Sequence, residues 1–163
     1  MYGNDTRKPI GGIAHCALYP ADSVRIRSIT TNGCHALFAR QPYEFELFDE
    51  RSSFSEQMLS DNGVLKVVHR LELIADRNFA SVWLSADFTH QAIDKGLVAR
   101  LTLSDGRELL VGYSVKFERE QPLRLSSLSF DSGSRANETP TMKLILTSED
   151  TAFALPLIED SYI

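Results

Sequence analysis

Leu97-Val98-Ala99-Arg100-Leu101-Thr102-Leu103-Ser104-Asp105-Gly106-Arg107-Glu108-Leu109-Leu110-Val111-Gly112-Tyr113-Ser114-Val115-Lys116-Phe117 decides the fold class. Leu97, Ala99, Leu101 and Leu103 alternate with Val98, Arg100 and Thr102, the period of two that sends successive side chains to opposite faces of a strand. Ser104-Asp105-Gly106-Arg107 reads as a turn, because Asp and Gly accept the backbone angles a tight reversal demands. Leu109, Val111, Tyr113, Val115 and Phe117 then give a returning strand its apolar face. Two strands joined by so short a polar link form an antiparallel hairpin.

Upstream of the hairpin, one segment has helical spacing. Phe79, Val82, Trp83, Ala86, His90 and Ile93 recur at intervals of three and four, and Leu84 and Phe88 widen the stripe. Asp76-Arg77-Asn78 offers capping oxygens at its start, while Lys95 and Gly96 suit its end, one by charge and the other by its tolerance of a left-handed residue. The spacing predicts a helix over about 78–95. Before it, Leu65, Val67, His69, Leu71 and Leu73 alternate with Lys66, Val68, Arg70 and Glu72, and Asp61-Asn62-Gly63 turns the chain back to a strand near Ser53 to Leu59. Val24 to Ile29 and Tyr43 to Phe48 are shorter strand candidates, separated by the Thr31-Asn32-Gly33 turn and a less patterned stretch.

Downstream, Pro122 ends the hairpin. Leu123 and Leu125 share one parity and Leu128 and Phe130 the other, which predicts a bulge near Ser126-Ser127. Asp131 to Pro140 is a polar loop, and Met142, Leu144 and Leu146 mark a last long strand. Residues 1–20 carry Gly and Pro without periodicity and read as an irregular arm or lead-in. Consecutive hairpins imply an antiparallel sheet. The expected molecule is one domain over 1–163, mostly β in the α+β sense: an antiparallel β-barrel or sandwich with a single flanking amphipathic helix.

Composition narrows the function classes. The 163 residues are 43% apolar and 24% charged with a net charge of −5, ordinary for a globular chain large enough to bury a core. No basic patch dominates, so stable binding to nucleic-acid phosphates is not expected. No apolar run approaches the roughly 20 residues of a membrane helix. Ile10 to Leu18 is too weakly apolar for a signal-peptide core, and His15 is not the small residue that precedes a lipidated cysteine. Two cysteines make no disulfide framework, so cytoplasmic synthesis without export is the expectation.

The constellations that bear chemistry have simpler structural explanations. His15-Cys16 and Cys34-His35 hold two thiols and two imidazoles, but adjacent strand residues point to opposite faces and cannot easily share one metal. A Cys/His nucleophilic pair has no orienting third residue marked in the sequence. His69 and His90 lie on apolar stripes, as satisfied core histidines do. Glu44 and Glu46 opposite Tyr43, Phe45 and Leu47, followed by Asp49-Glu50, read as a solvated strand face before they read as an acid–base pair. Gly11-Gly12 lacks the third glycine and preceding strand of a dinucleotide site. No P-loop, nucleophile elbow or zinc-protease motif is present. No catalytic, cofactor-binding or metal-ligating residue is therefore assigned, and no cofactor is expected.

Several runs carry a family resemblance: Gly11-Gly12-Ile13-Ala14, Gly96-Leu97-Val98-Ala99, Ser104-Asp105-Gly106-Arg107, Leu110-Val111-Gly112-Tyr113-Ser114, Arg119-Glu120-Gln121-Pro122-Leu123-Arg124-Leu125 and Ser148-Glu149-Asp150-Thr151-Ala152. Together they resemble small prophage-encoded proteins of Bacteroides-type bacteria, and the strand order is similar to that of phage tail-tube and type VI secretion tube proteins. The resemblance implies a non-enzymatic virion structural protein whose copies pair strand edges around a ring, with rings that stack. Its partners would be other copies of itself and other phage structural proteins, with no membrane and no specific nucleic acid. The 131–140 loop and the N-terminal arm are the expected ring-to-ring contacts. Alternatives are a head–tail connector or baseplate module, a small-ligand or carbohydrate-binding β-domain with a concave pocket, and a catalyst that would need His15, Cys16, Cys34 and His35 in one cleft.

Overall fold

A computed structural model describes residues 12–30, 32–43, 45–47, 52–76, 81–114, 119–134, 138, 140–150 and 153–158. In chain order the strands are β1 (Ile13–Pro20), β2 (Val24–Thr30), β3 (Gly33–Phe38), β4 (Ser53–Asp61), β5 (Val64–Asp76), β6 (Leu97–Leu103), β7 (Glu108–Val111), β8 (Tyr113–Ser114), β9 (Arg119–Glu120), β10 (Arg124–Asp131), β11 (Thr141–Asp150) and β12 (Leu155–Pro156). One α-helix, α1 (Ala86–Ile93), lies between β5 and β6. The molecule is mostly β, as expected, and its two main sheets are open among the described residues, so the sandwich holds and the barrel does not.

The first sheet has the order β1-β6-β7-β12 and the second β10-β11-β5-β4, each four-stranded and antiparallel throughout. Between them lies the main core. Cys16, Leu18, Leu97, Ala99 and Leu101 from the first sheet meet Leu71, Leu73, Leu144 and Leu146 from the second. Trp83, Phe88 and Ala92 of the helical segment join the same core. A third layer covers the other face of the first sheet: the β2–β3 hairpin packs Val24 and Cys34 on Ala17, Tyr19, Val98 and Leu110.

This layering explains two departures from the sequence reading. Residues 13–20 are not an irregular lead-in but strand β1, buried on both faces from Cys16 to Pro20. A strand covered on both sides has no polar alternation to betray it. β3 was also missed: it buries Gly33 and Cys34 against the first sheet but leaves Leu37 exposed, so its burial does not follow a simple alternation. Residues 1–11 of the expected arm lie outside the described residues.

The helix is shorter than 78–95. Ser81–Leu84 forms a 3-10 turn, Ser85 is extended at φ −76° and ψ 146°, and only then does α1 run from Ala86 to Ile93. The reason is Ser85 itself, whose hydroxyl donates to the Val82 carbonyl at 2.8 Å and accepts from the Phe88 amide at 3.2 Å. That cap starts a new helix and resets its phase. The buried stripe is therefore Phe88 and Ala92, while Ala86, His90 and Ile93 face solvent. Gly96 ends the segment as expected, at φ +87°, with its amide donating to the Gln91 carbonyl at 2.6 Å. A Cβ there would stand 2.4 Å from the Pro122 Cβ, so close approach and backbone angle both require glycine. Residues 78–80 lie outside the description.

The returning strand of the decisive hairpin is also cut short. Leu123 exchanges two backbone hydrogen bonds with Leu97, both 2.8 Å, so β7 loses its partner beyond Val111. The chain diverges into the small β8–β9 pair, and Val115 to Phe117 lie outside the described residues. Within the expected strand Tyr43 to Phe48, Tyr43 makes a single bridge to Leu18 and residues 45–47 are irregular, while Glu44 and Phe48 lie outside the described residues. The bulge expected at Ser126-Ser127 is present as a register shift between Leu125 and Ser127. No helix among the described residues is long and apolar enough to cross a membrane.

Candidate functional site

Three places carry more than packing. The first is an open hollow of about 940 Å³ on the outer face of the first sheet. Opposed residues of an antiparallel pair share a face. The pairs His15↔Thr102, Ala17↔Arg100 and Thr102↔Glu108 therefore floor the hollow together with Tyr19. The β2–β3 hairpin covers the rest of that face, and Pro42, Tyr43, Phe45 and Leu47 form a wall. At its base Arg100 Nε donates to Glu108 Oε1 at 2.7 Å. The Arg100 guanidinium lies 5.7 Å from the Phe38 ring centroid, and Phe38 in turn lies 4.3 Å from Tyr19. The Glu108 hydrogen bond holds the Arg100 pKa above its ordinary value, against the opposing effect of burial. In the wall, the Tyr43 hydroxyl donates to Asp87 Oδ2 at 3.2 Å, and burial followed by that carboxylate raises its pKa.

The second is a buried polar trio on the inner face of the second sheet. His69, 3% exposed, has Nδ1 3.2 Å from Ser148 Oγ and Nε2 3.1 Å from Glu56 Oε2. Glu56 Oε2 also accepts the Ala154 amide. The residue types match a nucleophile–base–acid relay, but the surroundings do not. Ser148 is 8% exposed, and it lines neither the 940 Å³ hollow nor the smaller one beside Ile74 and Lys143. The trio instead fastens the segment 153–158, which continues through β12 onto β7 and through Ile158 onto the Cys34 carbonyl. One short stretch thus ties all three layers together.

The third is the rim of the second sheet. β4 and β10 are its outermost strands, and no strand lies beyond either among the described residues. The β4–β5 hairpin carries exposed Met58, Leu59, Val64 and Leu65 at its end, around the turn at Asn62 (φ +51°) and Gly63 (φ +81°). β4 pairs with β5 without a register break and contains no Lys or Pro. Natural edge strands usually carry such features to block pairing with another chain. β10 exposes Phe130.

The mirrored Cys/His pairs are not brought together. Cys16 belongs to the main core and Cys34 to the outer one, on opposite sides of the first sheet. His15 is exposed and lines the hollow. No group of three or more potential metal ligands occurs among the described residues. Burial pushes the Cys34 thiol up to about 11 and raises Cys16 further. His90 faces solvent, as does Glu46, while Glu44 and Asp49-Glu50 lie outside the described residues. Sequence reasoning missed both the hollow and the trio. Glu56 and Ser148 had no signal beyond lying on strands next to that of His69. Comparison with known proteins gave no matching family model, no matching curated protein and no matching solved structure.

Proposed function

We propose that this chain is a non-enzymatic structural subunit that assembles head to tail with copies of itself, as a tail-tube-like protein does. The observation that carries the reading is the second sheet's pair of outermost strands, β4 and β10, beyond which no further strand pairs among the described residues. In an all-antiparallel sheet of four strands the two outermost strands run in opposite directions. A neighbouring copy placed in the same orientation therefore sets its β10 antiparallel to β4, and the alternation continues across the joint. β4 has nine residues and β10 eight, so each rim is about 30 Å long. A heterologous contact of this kind closes into a ring when its rotation closes. The apolar end of the β4–β5 hairpin would bury Met58, Leu59, Val64 and Leu65 on assembly. The net charge of −5 suits a subunit that does not hold nucleic acid.

Bismaleimide cross-linking of single-site and paired cysteine variants tests this directly, because both native thiols are buried. Gln57→Cys with Ser127→Cys in one chain is expected to give a ladder of multimers, while Gln57→Cys alone gives none. A dimer from Gln57→Cys alone would indicate two-fold β4–β4 pairing and overturn the head-to-tail reading. So would the absence of cross-linking in both.

A further inference from the structure

We infer that the hollow on the outer face of the first sheet binds a neutral, hydroxyl-rich ligand of the sugar class. The inference is independent of the rims, which lie on the other sheet. The volume of about 940 Å³ lies in the range of small-molecule sites, and its floor is built from strands, not loops.

The chemistry of the lining selects among ligand classes. An anion such as phosphate meets one cation, Arg100, whose charge Glu108 already balances at 2.7 Å, with Glu46 adding a second carboxylate at the wall. A cation would have to draw Glu108 from Arg100, whose planar donor fork it suits better than a point charge does. A wholly apolar ligand would strand Thr102, His15 and the ion pair without water. A polyol leaves the ion pair intact. Its hydroxyls both donate and accept, so they satisfy the lone pairs of Glu108 and the remaining N–H groups of Arg100. Hydrogen bonds to charged groups are the stronger ones and need no new charge to be buried. The site is held ready: Arg100 is fixed between Glu108 and the Phe38 ring, and Tyr19 beneath is 8% exposed. Pre-fixed side chains lose little entropy on binding.

The test is ligand-observed saturation-transfer NMR followed by titration calorimetry. The probes are glucose, galactose, mannose, N-acetylglucosamine, maltose, cellobiose, lactose and chitobiose, with inorganic phosphate as a separate arm. At least one sugar is expected to bind saturably with a 1:1 stoichiometry. Glu108→Gln should weaken that sugar by about tenfold or more. Thr102→Val, which leaves the ion pair in place, should weaken it by a smaller factor while the far-ultraviolet circular dichroism stays unchanged. Saturable binding by phosphate alone, no binding by any sugar, or sugar binding unaltered in both variants would each overturn the inference.

Discussion

Leu144→Ala probes the sandwich at its centre. Leu144 is fully buried on β11, opposite Leu73 on one side and Leu128 on the other. Truncation removes three carbons, worth about 0.8 kcal/mol each in transfer, or roughly 2.4 kcal/mol. The neighbours are held by two strands and cannot collapse freely, so a cavity contribution raises the cost to about 3–4 kcal/mol. Val64→Ala is the control, because Val64 is 66% exposed and should change stability by no more than about 0.5 kcal/mol. The assay is urea unfolding at low protein concentration, followed by the fluorescence of Trp83, the single tryptophan, which is fully buried. A cost below about 1 kcal/mol for Leu144→Ala, or equal costs for both variants, would refute a core shared by the two sheets.

Three further outcomes follow from particular residues. Gly96→Ala should lower stability by well over 1 kcal/mol in thermal melts, since a left-handed angle costs about 1–2 kcal/mol and the Pro122 contact adds to it; Gly63→Ala, with open space around it, should cost only the angle, and equal losses would remove the role given to the contact. Glu56→Ala removes the carboxylate that His69 Nε2 and the Ala154 amide share and should cost about 1–3 kcal/mol. Amide exchange should quicken at 154–158 before it quickens in β5, and unchanged exchange there would show that the trio does not fasten this segment. Burial raises the Cys34 thiol from its ordinary 9.0 to about 11, so the folded state keeps its proton where the unfolded state loses it. Stability from this group is complete below about pH 9 and is lost as pH rises towards about 11. Cys34→Ala should flatten that alkaline decline, and an unchanged slope would contradict it.

The strands that could be read directly from the sequence were those with one dry face and one wet one. β5 and β11 bury alternate residues over most of their length, and their periodicity is plain in the sequence. β1 lies between layers, where both faces are covered and the period of two disappears. The helix was recognisable as a helix, but its start was not. Val82 and Trp83 fit the same stripe as Phe88 until Ser85 interrupts it, and one hydroxyl settled the matter. The hollow was invisible for a different reason. Its floor comes from residues 15–19 and 100–108 and its wall from 42–47, and only the pairing of β1 with β6 brings them together. The β4 rim could be recognised as a sheet edge only once the strand order was known.

Sedimentation velocity of the unmodified chain over a wide concentration series tests the assembly claim most directly. The account predicts a sedimentation coefficient that climbs with concentration as rims join, and that falls back to the monomer value in a Met58→Lys/Leu59→Lys variant with an unchanged circular dichroism spectrum. A single 18.3 kDa species at every concentration up to the solubility limit would contradict it.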